Sequence, residues 1–135
     1  MSMYDLWKRE IGTLDPFKGC VFDKIEGAET GSDEIKFFQN GRERFRMYHS
    51  QDCCESVSVE DVCGDIGDLI GSPIVEADEV SNYEGPEPEC SESYTWTFYK
   101  LGTTKGHVTI RWLGESNGYY SESVSVADMQ KEVTE

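Results

Sequence analysis

The pair Asn40-Gly41 is the sequence feature that most constrains the fold of this chain. It separates two runs with β-strand character, Glu34–Gln39 and Arg42–His49. A tight type I′ turn needs two consecutive residues with positive φ, and Asn followed by Gly tolerates that conformation best. The sequence therefore predicts a β-hairpin at this position.

Three further runs in the C-terminal half have the composition of strands. Short glycine-bounded loops separate them, which predicts a three-stranded antiparallel meander formed by Tyr94–Leu101, His107–Leu113 and Tyr119–Val126. Tyr94, Trp96 and Phe98 fall on one face of the first of these strands. We interpret these aromatic side chains as core residues, with the stacking of nucleic-acid bases as the alternative.

Shorter patterns complete the predicted fold. Strands are expected at Cys20–Glu26 and Ile74–Val80, and short helices at Ser2–Ile11 and Asp61–Ile70. The second helix would bury an apolar side and expose a stripe of aspartates: Asp61, Asp65 and Asp68. The fold class predicted is α+β, mainly antiparallel β-sheet (the hairpin and the C-terminal meander) with one or two short helices.

The length of 135 residues fits a single domain over residues 1–135. Within it we expect a flexible acidic loop at about residues 81–92, because prolines and glutamates cluster there, and a polar tail at about 127–135. The N-terminus has no apolar run, so neither a secretory signal nor a membrane span is expected.

The net charge of −15 limits the partners this chain can bind. Phosphates would be repelled, which argues against direct binding of nucleic acid or of an anionic membrane and favours a cationic protein surface. The charge is concentrated, since residues 50–93 contain thirteen acids and no Lys or Arg. The alternative is that the charge serves solubility alone.

Five cysteines, an odd number, indicate free thiols in a reducing cytoplasm. His49, Cys53, Cys54 and Cys63 lack the C-x2-C spacing that lets two thiolates converge on one ion, so neither a metal nor another cofactor is predicted. The neighbouring Glu55 would raise the pKa of these thiols, and the sequence contains no catalytic motif. We therefore expect a protein that is not an enzyme.

Two groups of polar residues are candidates for binding a small ligand. Strand alternation places Arg42, Arg44 and Arg46 on one face, as an anion cradle or as an ordinary solvated surface. The turns at residues 48–52 and 117–120 could form a polar pocket, or their side chains could cap local turns.

Several longer strings in the sequence resemble a family of small bacteriophage proteins that is known only as a domain of unknown function. They are Tyr48–Val57, Asp65–Pro73, Tyr94–Tyr99, Arg111-Trp112 and Ser116–Val124, and the resemblance spans about residues 35–126. It implies a phage origin and a cytoplasmic location in an infected bacterium. It implies no activity.

These observations give two functional hypotheses. The first is a counter-defence inhibitor, similar in action to an anti-CRISPR protein, whose acidic surface binds the cationic nucleic-acid groove of a host nuclease. Its contact residues would be Asp61, Asp65, Asp68, Glu76, Asp78 and Glu79. The alternative is a protein that sequesters a nucleotide immune signal. Its residues would be Arg42, Arg44, Arg46, Tyr48, His49, Gln51, Asp52, Arg111, Trp112, Asn117, Tyr119 and Tyr120. The oligomeric state is left open between a monomer and a homo-oligomer.

Overall fold

A computed structural model describes residues 3–82 and 93–131 of the chain. They form two four-stranded sheets, and every pair of neighbouring strands is antiparallel. The first sheet has the order β1-β2-β3-β8 and the second has the order β4-β7-β6-β5. The strands are β1 Lys24–Glu26, β2 Glu34–Gln39, β3 Arg42–Tyr48, β4 Ser56–Cys63, β5 Glu76–Asn82, β6 Ser93–Thr103, β7 Gly106–Ser116 and β8 Ser125–Asp128.

The two sheets share one hydrophobic core. Phe37 and Phe45 of the first sheet belong to the same buried cluster as Tyr99, Leu101 and Trp112 of the second, and all five are fully buried. Because alternate residues of a strand point to opposite faces, each sheet has a core-facing side and an outer side. The predicted emphasis on antiparallel β-sheet is confirmed.

The helical part of the α+β prediction holds only in part, because the short helix expected over Ser2–Ile11 is a 3-10 helix at Met3–Arg9. The described residues contain 3-10 turns alone as helical structure, at Met3–Arg9, Asp15–Phe17 and Ile66–Leu69. The helix expected over Asp61–Ile70 is replaced by the end of β4 and the last of these turns. The reason is that β4 pairs with β7, and this pairing keeps the backbone of β4 extended as far as Cys63.

The hairpin at Asn40-Gly41 is confirmed. Asn40 has a φ of 56° and Gly41 a φ of 75°, and Gln39 pairs with Arg42 on the two sides of the turn. The predicted strand at residues 20–26 is shorter than expected, because only Lys24–Glu26 pair with β2. The predicted strand at Ile74–Val80 is present as β5, displaced by two residues.

The three-stranded C-terminal meander is wrong in its third strand. β6 and β7 form the predicted hairpin, but the chain then runs irregularly through residues 117–124, and β8 pairs with β3 of the other sheet. Gly114 permits this crossing, because a Cβ atom there would lie 2.3 Å from the carbonyl oxygen of Glu122.

The predicted acidic loop falls mostly outside the described residues, whereas residues 127–131 of the predicted polar tail are described and include the buried Ala127 and Met129. Residues 81 and 82 belong to β5, and residues 83–92 are not described. In the tail, residues 127 and 128 belong to β8, and residues 132–135 are not described.

Candidate interaction surface

The excess of negative charge lies on the second sheet and its connections. Residues 50–82 and 93–116 contain ten acids against three Lys and Arg residues. One of these bases, Arg111, lies 3.9 Å from the carboxylate of Asp61, so most of the ten acids have no basic partner of their own in the described part of the second sheet. In the first sheet each of four bases pairs with an acid. The pairs are Lys24 with Glu26, Lys36 with Glu34, Arg44 with Asp128 and Arg46 with Glu43. The molecule therefore presents one nearly balanced sheet and one acidic sheet.

The six acids predicted to contact a partner do not form one helical stripe. Asp61 lies on the outer side of β4, and Asp65 caps the 3-10 turn by accepting a hydrogen bond from the backbone N–H of Gly67 at 2.9 Å. Asp68 lies within that turn. The structure therefore spreads these three aspartates along one end of the second sheet.

The other three acids lie on β5, at the edge of the second sheet. Glu76 and Asp78 alternate with the buried Ala77 and therefore lie on the outer side. A carboxylate oxygen of Glu76 lies 2.8 Å from Nε2 of His107. Glu79 points to the core-facing side and accepts a hydrogen bond from the hydroxyl of Tyr99 at 3.3 Å.

The outer side of the second sheet has an aromatic centre. The rings of Trp96 and Phe98 stack with their centroids 6.5 Å apart, and the guanidinium of Arg111 lies 5.0 Å from the centroid of the Trp96 ring. Phe98 is partly exposed, and Val80, its neighbour on β5, is 40% exposed. Trp96 is buried, with 4% of its surface exposed, as the core interpretation predicts. Tyr94 and Phe98 are only partly buried, so for these two residues the interpretation is corrected.

A cavity of about 380 Å³ opens beside β5. Its walls are the segment Gly12–Asp15 on one side and β5 residues Ala77, Asp78, Glu79 and Ser81 on the other. Burial raises the pKa of Glu79, and the hydrogen bond from Tyr99 opposes this shift in part. Solvent can reach Glu79 through the cavity.

The residues of the ligand-binding alternative are not brought to one place. Arg44 and Arg46 lie on the outer side of the first sheet in ion pairs, and Arg42 is exposed at the start of β3. Arg111 and Trp112 point to opposite sides of β7, with Trp112 fully buried in the core. Asn117, Tyr119 and Tyr120 lie in the irregular segment after β7, and Asp52 lies in the turn between β3 and β4.

Three residues of that alternative do share a cavity. Tyr48, His49 and Gln51 line a second space of about 380 Å³, whose wall also includes Asp33 and Glu34. The two carboxylates make this cavity unlike a phosphate site. The hydroxyl of Tyr48 donates to Glu10 at 2.7 Å, and burial, followed by this contact, raises the pKa of Tyr48.

The turn at residues 49–55 is organised around the buried carboxylate of Glu55, which sequence reasoning did not identify. Glu55 accepts hydrogen bonds from the side chains of His49 and Gln51 and from the backbone N–H groups of Asp52 and Cys53. Burial opposes ionisation of Glu55, but these hydrogen bonds prevail and lower its pKa to about 2. Nδ1 of His49 contacts the carbonyl oxygen of Ser123, so both ring nitrogens face acceptors.

The cysteines differ in part from the prediction of free thiols. A disulfide joins the adjacent residues Cys53 and Cys54, whereas Cys20 and Cys63 are free. Burial raises the pKa of the Cys20 thiol. Within residues 3–82 and 93–131, no group of three or more His, Cys, Asp and Glu side chains converges as a metal site would require.

Fold and surface together define a small antiparallel β protein with two sheets, of which the second carries the negative charge. Residues 18–126 match the family model described as a domain of unknown function, DUF7448, and the chain belongs to this family. No curated protein and no solved structure matches the chain. None of the helices in the described part of the chain has the length and apolar character needed to span a membrane.

Proposed function

We propose that this chain is a non-enzymatic binding protein that uses the outer side of its second sheet to occupy a cationic surface on a partner protein. In the setting that the phage resemblance suggests, the partner is a host defence nuclease, such as a CRISPR effector, and the surface is its nucleic-acid groove. The location is then the cytoplasm of the infected bacterium.

The observation that supports the proposal most is the uneven distribution of charge. The second sheet and its connections contain ten acidic residues but only three Lys and Arg residues. In the first sheet the basic side chains form ion pairs with acidic neighbours, such as Arg44 with Asp128 and Arg46 with Glu43. Complementary potentials accelerate encounter with a basic groove and keep phosphates out of it.

The composition of the outer side adds a second argument. Protein interfaces commonly combine an aromatic and arginine centre with a polar rim. The partly exposed Phe98 and Arg111, which pack against the buried ring of Trp96, supply such a centre. Asp61 and Asp78 flank it on the two edge strands. A surface of this kind is suited to bind a protein.

The proposal is tested with purified CRISPR effector nucleases whose nucleic-acid grooves are basic. We expect binding of the wild-type chain to at least one of them, with loss of DNA binding by that nuclease. The double variant Asp61→Lys/Asp78→Lys should bind about tenfold or more weakly at low ionic strength, and the difference should shrink at high salt because the charges are screened.

The matched control is Glu26→Lys, which reverses an exposed carboxylate on the first sheet. It should leave binding nearly unchanged. Equal effects of the control and of the double variant, or no binding to any nuclease tested, would remove the proposal.

A second candidate function rests on the cavity lined by Tyr48, His49 and Gln51. In this candidate the chain sequesters a nucleotide signal, with Tyr48 and the neighbouring polar groups holding the ligand. A thermal-shift screen with cyclic nucleotides and ADP-ribose derivatives tests it, because a tight ligand raises the melting temperature by mass action. The carboxylates of Asp33 and Glu34 favour the first candidate.

A further inference from the structure

Strand β5 ends the second sheet with a regular edge. All seven of its residues, from Glu76 to Asn82, pair in unbroken register with β6. On its other side β5 pairs with no strand among the described residues. In an antiparallel pair, alternate residues turn their N–H and C=O groups away from the partner, so an edge strand offers a row of free backbone groups.

The residues just before β5 show that this edge can be extended by another segment. The carbonyl oxygen of Ile74 accepts a hydrogen bond from the N–H of Gly19 at 2.8 Å, and the N–H of Ile74 donates to the carbonyl oxygen of Cys20 at 2.9 Å. Segment 19–20 therefore already pairs with the outer edge at Ile74. Beyond this point the edge continues along β5 without such a neighbour in the described part of the chain.

The cavity beside β5 is lined by carboxylates, so it favours a strand that carries a basic side chain. Of its three carboxylates, Asp15 is close to Lys18, with 3.6 Å between the charged atoms. Asp78 lies on the outer side of β5, whereas Glu79 lies on the core-facing side and contacts the hydroxyl of Tyr99. Glu79 forms no ion pair with a Lys, Arg or His side chain of the described residues. The volume of about 380 Å³ is within the range of small-ligand pockets, so it can hold one long side chain.

We propose that the free edge of β5 binds an extended, basic peptide segment of the partner as an additional strand, with one Lys or Arg side chain seated in the cavity against Glu79. Main-chain hydrogen bonds would supply affinity, and the cavity would supply specificity, as in other cases of strand addition. The inference refines the proposed function, because it names the form of the basic partner and rests on that partner being basic.

The test uses a synthetic peptide and does not require the natural partner. The probe is a nine-residue peptide of alternating Thr and Val with one central Lys, titrated into ¹⁵N-labelled protein and followed by amide NMR signals. We expect shifts confined to Glu76–Asn82 and Gly12–Asp15, with a Kd below about 1 mM, the weak end of peptide binding. The same peptide with norleucine in place of Lys should bind about fivefold or more weakly, because the ion pair is lost.

The protein variant Glu79→Gln should weaken binding of the Lys peptide by a similar factor, and it keeps an oxygen that can accept the hydrogen bond from Tyr99. The control Glu60→Gln, on the opposite edge strand β4, should bind the Lys peptide as the wild type does. The norleucine peptide, which leaves the protein unchanged, keeps the test decisive should Glu79→Gln fold poorly.

Three results would overturn the inference: no shifts with the Lys peptide, shifts outside β5 and Gly12–Asp15, or equal binding of the Lys and norleucine peptides. If the chain binds a nuclease but does not bind the Lys peptide at β5, the edge site alone is rejected. The opposite pattern would reject the proposed function and leave the edge site standing.

Discussion

Replacing Phe17 by Ala tests how the short turn Asp15–Phe17 holds the molecule together. Phe17 is fully buried, and its ring stacks on Phe45 with the centroids 4.0 Å apart and meets Phe37 at 5.2 Å and Phe22 at 5.8 Å. Truncating a buried Phe to Ala typically costs ~3–5 kcal/mol, from lost burial and from the cavity left behind. A domain of this size is stable by only ~5–15 kcal/mol in total, so the loss should be large.

The assay is urea unfolding at pH 7, followed by far-ultraviolet circular dichroism. The control is Trp7→Ala, because Trp7 is also a large aromatic residue in a 3-10 turn but is 64% exposed. We expect the control to change the free energy of unfolding by no more than ~0.5 kcal/mol. A loss below ~1 kcal/mol for Phe17→Ala, similar to that of the control, would refute the reasoning that Phe17 anchors the core.

Three further predictions concern single contacts. The pKa of Glu55 is lowered from 4.5 to about 2, so its ionised form contributes stability that is complete above pH 4.5 and disappears as the pH falls through 2. The difference in urea midpoint between wild type and Glu55→Gln should therefore become smaller as the pH is lowered from 4.5 to 2. A difference that stays constant over this pH range would contradict the prediction. A double-mutant cycle with Arg44→Met and Asp128→Asn should give a coupling of ~1 kcal/mol, because their partly buried ion pair ties β8 to β3; a value near zero would count against that role. Gly114→Ala should cost ~1–3 kcal/mol by overpacking in thermal melts, whereas Gly12→Ala, with open space around it, should be near neutral; equal costs would contradict the close crossing.

The local patterns in the sequence were sufficient to predict the two hairpins. Asn40-Gly41 has few alternatives as a turn, and the β6–β7 hairpin combines alternating strands with a short connection. In both cases the partner strand is the next strand along the chain. The prediction therefore needed no information about distant residues.

The pattern around Val62 and Ile66 was ambiguous for a physical reason. Apolar residues spaced by four match a helix, but they also match a strand that ends in a turn. The choice depends on β7, some 50 residues further on, which pairs with β4 and keeps residues 56–63 extended. β8 was misplaced for the same reason, because its pairing with β3 is set by tertiary packing.

The sequence predicted the negative charge of the candidate surface but not the positions of its side chains. The acidic composition of residues 50–93 was evident, but spacing could not distinguish Glu55, which is buried, from Asp78, which is exposed. Nor could it show that Glu79 reaches Tyr99 or that a cavity opens beside β5. Those contacts depend on which strand lies at the edge of the sheet.

The pairing of β8 with β3 also has a consequence for folding during synthesis. Phe45 pairs with Asp128 and Tyr48 pairs with Ser125, so the first sheet closes by contacts between residues about 80 positions apart. Such a high contact order slows folding. Until the ribosome has synthesised residues 125–128, the edge of β3 that pairs with β8 stays unpaired. We expect chaperones to bind the nascent chain during that time.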